Sequence, residues 1–210
     1  MAIIPLLSKG AGSNCYLVID EKTLLIDAGT GLDDRIVREV NSRLKGRELD
    51  FIVNTHAHFD HCAGDTRFKE ASVHIHRDDA KELVTGNFYG TYRFFGVKHP
   101  VRFHRLLEHG DRLELGEHIL QVIHTPGHTH GSICLIEKDA GILFSGDILF
   151  PEGGFGRIDM GGDVRQIIQT LERLAKISFD KLYPGHGSIV SNGVKHAEAS
   201  LKNARMLMSL

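Results

Sequence analysis

Residues 54–64 read NTHAHFDHCAG. His56, His58 and His61 fall within six positions, Asp60 stands among them, and the run follows the apolar segment DFIVN. A His-x-His pair on an extended strand would turn both rings to one face, because side chains alternate with a period of two. A tight loop after the strand would let Asp60 and His61 turn toward the same space. Neutral imidazole and carboxylate are the groups that zinc and other borderline divalent ions bind. Buried together without an ion they would leave donors and acceptors unpaired, so the competing reading is a solvated polar turn.

The rest of the chain decides between these readings. VIHTPGHTHGS places His124, His128 and His130 after an apolar run, FSGDIL places Asp147 after another, and LYPGHGS places His186 after a third. Each abuts glycine, which permits sharp exits and close backbone approach, so several loops can meet at one point. With His56, His58, Asp60 and His61 they supply more ligands than one tetrahedral ion accepts. They suit two ions; if Asp147 bridges them, a coordination position stays open for catalysis.

Around these loops the pattern is that of sheets covered by helices. Short β-branched or aliphatic runs (AIIPLL, NCYLVID, KTLLIDAG, DFIVNT, SVHIH, HILQVIHT, SICLIE, GILFSGD, KLYPGHG) read as strands bounded by Gly, Asp or Pro. Helical periodicity appears in LDDRIVREVNSRL, with the stripe Leu32, Ile36, Val40 and Leu44, and in DVRQIIQTLERLAKI, with Val164, Ile167, Ile168, Leu171, Leu174 and Ala175. A last helix is predicted from about Val194 to Met208. Hairpins mix with helical crossovers, no Pro- or Ser-rich linker divides the chain, and no repeat is visible, so residues 1–210 read as a single α/β domain. The stretch 85–104 is rich in Gly and aromatics without periodicity. It reads either as a lid over the site, with Tyr92 and Phe94 touching substrate, or as ordinary core.

Composition limits the partners. The 210 residues are 41% apolar and 25% charged, with a formal net charge of −2, which argues against nucleic-acid and anionic-membrane partners. No apolar run approaches the roughly 18 residues of a membrane span, and the amino terminus lacks a basic segment ahead of an apolar one. Cys15, Cys62 and Cys134 are too few and scattered for a disulfide frame or a CxxC site. A cytoplasmic protein with free thiols is expected. The sequence does not assign an oligomeric state.

THAHFDH, the GH of TPGHTHGS, the D of SGDILF and the H of YPGHG, with Asp27 in LLIDAG upstream, resemble the ordered motifs of the metallo-β-lactamase superfamily, over about residues 13 to 187. The resemblance implies a four-layer αββα sandwich with a dinuclear site at one edge of its two sheets. Metal one would take His56, His58 and His128, metal two would take Asp60, His61 and His186, and Asp147 would bridge them. The ions would be zinc, with iron or manganese as alternatives. Asp27 would support the His-rich loop by hydrogen bonding. His124 and His130 match no ligand position, and Cys62 reads as a small buried residue.

Departures from other branches narrow the implied activity. His61 and Asp147 do not suit the clinical lactamases, and His58 stands where the diiron flavoproteins carry glutamate. The nuclease branch has an inserted domain or RNA-gripping arm for which this chain has little room. The nearest group is the hydroxyacylglutathione hydrolases (glyoxalase II-like), especially their short relatives. This implies hydrolysis of a small thioester or ester by water activated between two ions, with Asp60 orienting the nucleophile. In GDILFPEGGFGRIDMGGD, Arg157 follows the family's G-x-G and stands either to grip a substrate carboxylate or to pair with Asp159. Those enzymes carry a C-terminal helical extension that contacts glutathione. Here about two dozen residues follow His186, which leaves the acyl carrier open. Two alternatives remain: a persulfide dioxygenase using one iron at His56, His128 and Asp147, and a metal-binding domain without turnover.

Overall fold

Eleven strands form two sheets in the computed structural model, which describes residues 1–8, 10, 12–85 and 102–209. The first sheet is ordered β1 (Ala2–Leu6), β2 (Cys15–Ile19), β3 (Thr23–Ile26), β4 (Phe51–Val53), β5 (Ser72–His76) and β6 (Arg105–Leu107). Its first three strands pair antiparallel and the rest parallel. The second sheet runs β11 (Lys181–Pro184), β10 (Ile142–Gly146), β9 (Ile133–Glu137), β8 (Ile119–His124) and β7 (Arg112–Glu114). It is antiparallel except for the β10–β11 pair.

Alternation along the strands sorts the apolar residues into layers. Tyr16, Val18, Leu24, Ile26 and Val53 of the first sheet meet Leu113, Leu120, Val122, Ile133, Leu135 and Phe144 of the second in a buried core between the sheets. Their neighbours point the other way. Leu17, Leu25, Ile52 and Val73 pack with Ile36, Val40 and Leu44 of helix α1 (Arg35–Leu44). Cys134, Ile136, Leu143 and Leu182 pack with Ile167, Leu171 and Leu174 of α4 (Val164–Leu174) and with Ala197 and Ala204 of α5 (Gly193–Met208). Helix, sheet, sheet, helix is therefore the layering, as the αββα expectation required. Asp163 starts α4, its carboxylate accepting the N–H groups of Arg165 and Gln166. Truncating a fully buried leucine of that helix would cost roughly 2–5 kcal/mol.

Several local expectations are corrected. Strand β4 ends at Val53, so His56 and His58 do not share the face of a strand. They occupy the irregular turn ahead of the one-turn helix α2 (Phe59–Cys62), with His58 as its N-cap. Leu32 precedes α1 and is 68% exposed, and Met208 is 56% exposed at the end of α5, so neither belongs to the buried stripe. Strands β6 (RLL) and β7 (RLE) carry no β-branched or aliphatic run of the kind that marks the others in the sequence. Helix α3 (Arg77–Thr85) follows β5 directly. Tyr92, Phe94 and most of the expected lid lie outside the described residues. Among the described residues, no helix is long and apolar enough to cross a membrane.

Candidate metal centre

Four strand ends deliver the site. The turn after β4 carries His56, His58, Asp60 and His61, the loop after β8 carries His128, and β10 and β11 are followed by Asp147 and His186. Glycine allows the loops to close on one another. A Cβ on Gly185 would lie 2.2 Å from Asp147 Oδ1, and one on Gly156 would lie 1.9 Å from the Asp147 carbonyl oxygen.

Two ligand groups result. His128 Nε2 lies 3.2 Å from His56 Nε2 and 2.8 Å from His58 Nδ1. His186 Nε2 lies 3.3 Å from His61 Nε2 and 3.1 Å from Asp60 Oδ2, with His61 Nε2 3.7 Å from that oxygen. Asp147 faces both groups: Oδ2 is 3.7 Å from His128 Nε2 and 3.4 Å from His186 Nε2, and Oδ1 is 3.3 Å from His61 Nε2. Ligands about 2.0–2.1 Å from a shared tetrahedral ion sit about 3.4 Å from one another. The spacing fits.

The outer ring nitrogens show that these contacts are not an ordinary hydrogen-bonded core. His128 Nδ1 donates to the Arg157 carbonyl at 2.7 Å, and His61 Nδ1 donates to Asp27 Oδ2 at 2.8 Å. The Thr55 hydroxyl spends its one proton on Asp27 Oδ2 at 2.8 Å, so it accepts from His56 Nδ1 at 3.1 Å. In the neutral rings of His56 and His128 this leaves two bare Nε2 lone pairs face to face, an arrangement that a cation relieves. The donor set therefore fits divalent ions.

Electrostatics divides the groups. Burial, then the neighbouring imidazoles, holds His56 well below its usual value, and burial and His128 hold His58 at about 3. Burial also lowers His128. These three are neutral at physiological pH. Burial opposes charge at His61 and His186 too, but carboxylates overcome it: Asp147, Asp27 and Asp60 raise His61, and Asp147 and Asp60 lift His186 to about 9. Asp147 is held well below the carboxylate range, its burial outweighed chiefly by His61 and His186.

Backbone braces complete the centre. Asp27, buried and in the left-handed region at φ 57°, also accepts the Thr55 N–H at 2.8 Å. Asn14 donates from Nδ2 to the carbonyls of Pro184 and Gly187, flanking His186, and the Ser13 hydroxyl donates to the Asp60 carbonyl at 2.6 Å. Sequence reasoning missed Asn14, Ser13, Thr55 and Asp79. The only sequence signal for Thr55 was its place beside His56.

The remaining candidates fall outside the ligand groups. The Arg157 guanidinium forks onto Asp159, Nε to Oδ1 at 2.6 Å and Nη2 to Oδ2 at 2.5 Å, with both side chains exposed. It reaches the centre through its carbonyl alone. Cys62 is buried, its thiol toward the His58 carbonyl. His124 stacks on His76 at 4.1 Å and 11° and donates to the His130 carbonyl. With Asp78 these two rings make a further cluster of ligand types, but lone pairs in stacked, parallel planes do not converge on one ion.

Comparison with known proteins agrees with this geometry. A probable metallo-hydrolase of Methanocaldococcus jannaschii is 39% identical over 197 residues, covering 89% of this chain and 93% of that one. An acyl-coenzyme A thioesterase of Gallus gallus is 31% identical over 211 residues, 85% of this chain and 73% of that one. A hydroxyacylglutathione hydrolase of a Polaromonas species is 35% identical over 155 residues, 72% of this chain and 53% of that one. A crystal structure of a protein in a di-iron-bound form matches with a TM-score of 0.75 and 30% identity, covering 95% of this chain and 96% of that one. The sequence model of the metallo-beta-lactamase superfamily matches residues 9–186, and the chain belongs to that superfamily.

Proposed function

We propose that this chain hydrolyses a small thioester or ester with two divalent ions, zinc or in its place iron or manganese, held at His56, His58 and His128 and at Asp60, His61 and His186, with Asp147 between them. One observation carries the reading: two separate ligand groups stand at metal-ligand spacing, and Asp147 faces both. A bound ion pair supplies an acidified water and Lewis-acid polarisation of a carbonyl.

The chain does the positioning. Asp60 keeps its side chain 23% exposed beside His186, where it can turn an incoming water toward a carbonyl. Phe150 stands 6.3 Å from the His186 ring and offers apolar surface next to the second ligand group. The acyl-coenzyme A thioesterase and hydroxyacylglutathione hydrolase among the relatives support a thioester, and they differ in the thiol that carries the acyl group. A small-molecule substrate free in the cytoplasm accords with this reading.

The test is metal analysis of the purified protein together with turnover of acyl-coenzyme A and hydroxyacylglutathione thioesters. Close to two ions per chain with thioester turnover is the expected result. One iron per chain with persulfide-dependent oxygen uptake and no thioester turnover would replace the hydrolase with the dioxygenase.

A further inference from the structure

Asp79 lies in the first turn of α3, is fully buried, and directs its carboxylate to neighbours of the ligands. Its carboxylate accepts three hydrogen bonds. Oδ2 takes the Ala57 N–H at 2.7 Å and the Thr129 hydroxyl at 2.8 Å, and Oδ1 takes the Gly131 N–H at 2.7 Å. Ala57 is the residue between His56 and His58, and Thr129 follows His128. One side chain thus ties together the two loops that carry His56, His58 and His128.

Other features support the tie. A Cβ on Gly131 would sit 2.5 Å from the Asp79 amide nitrogen and 2.6 Å from Oδ1, so this loop comes close because it has glycine there. Ser132 Oγ accepts the Thr129 N–H at 3.0 Å and lies 2.7 Å from the Thr129 hydroxyl, which fixes the rotamer that reaches Asp79. Burying a carboxylate is costly unless donors surround it, and here every oxygen is met by donors drawn from the two ligand loops. Asp27 binds Thr55 and His61 in a corresponding way on the other flank.

We infer that Asp79 is the positioning residue of the first metal group, holding His56, His58 and His128 at ligand spacing by pinning the turn between His56 and His58 to the loop behind His128. The inference rests on the metal assignment proposed above. Asparagine cannot replace the aspartate, because it offers one acceptor oxygen where donors approach from both sides. Thr129→Val removes only one of the three bonds.

The test is chelator competition for both ions on the full chain, with His128→Ala and His186→Ala identifying which dissociation constant belongs to which group. Asp79→Asn and Asp79→Ala should weaken the first ion roughly 10–100-fold, the scale of outer-shell substitutions, and leave the second unchanged. Thr129→Val, the milder change should the others fail to fold, should shift the same constant in the same direction by less. Leu174→Ala, buried against the far helices, should lower the melting temperature and leave both constants unchanged. Asp79 or Thr129 variants that melt lower but bind both ions with wild-type affinity would overturn the positioning role. If His128→Ala itself releases no ion, the metal assignment fails instead.

Discussion

Replacing Asp27 with asparagine should weaken both metal groups with little change of shape. Asparagine tolerates the left-handed backbone at φ 57°, so the fold need not move. The amide must still choose an orientation. Its oxygen will face the Thr55 N–H, because a backbone donor cannot reverse, and its NH₂ will then face the Thr55 hydroxyl and His61 Nδ1, both now 2.8 Å from Asp27 Oδ2. The hydroxyl can respond by accepting from the amide and donating to His56 Nδ1, and His61 Nδ1 by becoming an acceptor. Each change moves the ring proton to Nε2, the atom aimed at the ion. One ligand in each group is thereby blocked until the tautomer is forced back. Outer-shell substitutions of this kind cost about 10–100-fold in metal affinity, about 1.4–2.8 kcal/mol per ion. Loss of the charge-assisted bond to His61 should cost the metal-free protein about 1.5–3 kcal/mol more. Chelator competition reads the affinities, ¹⁵N NMR of the imidazoles reads the tautomers, and thermal melts read the rest. Wild-type affinity for both ions with His61 still protonated at Nδ1 would refute the reasoning.

Asp147→Ala should release both ions together, since its two oxygens face both groups; metal analysis showing one ion retained at wild-type affinity would contradict a shared ligand. Gly185→Ala should lower metal content and thermal stability, because its Cβ would meet Asp147 Oδ1 at 2.2 Å. The metal-free protein should be most stable near pH 6.5. Below it, His58, held at about 3 against 6.5 when unfolded, opposes folding as the unfolded chain takes up protons; above it, the stabilisation of protonated His186 is lost as pH rises through about 9. Titrating metal into that protein should release protons at the second group and almost none at the first, measured as a buffer dependence of the binding enthalpy.

The sequence by itself singled out the histidines and aspartates that the structure groups at metal-ligand spacing. Ligand identity is a matter of residue type, and glycines beside His128, Asp147 and His186 marked where loops could meet. Helical stripes showed the buried faces of α1 and α4 because each spans three turns or so, long enough for a period to appear. Only the tertiary structure decided how the ligands are held. Asp79 sits in HRDDA, where no motif marks it; only when α3, the turn after β4 and the loop after β8 are brought together does its carboxylate meet Ala57, Thr129 and Gly131. Asn14 is 170 residues from Pro184, whose carbonyl it binds. Arg157 could have turned inward, but its fork closes on Asp159 and its carbonyl serves His128 instead. Such hydrogen bonds depend on which strand ends become neighbours, and that is set by the packing of the two sheets, which no local stretch of chain encodes.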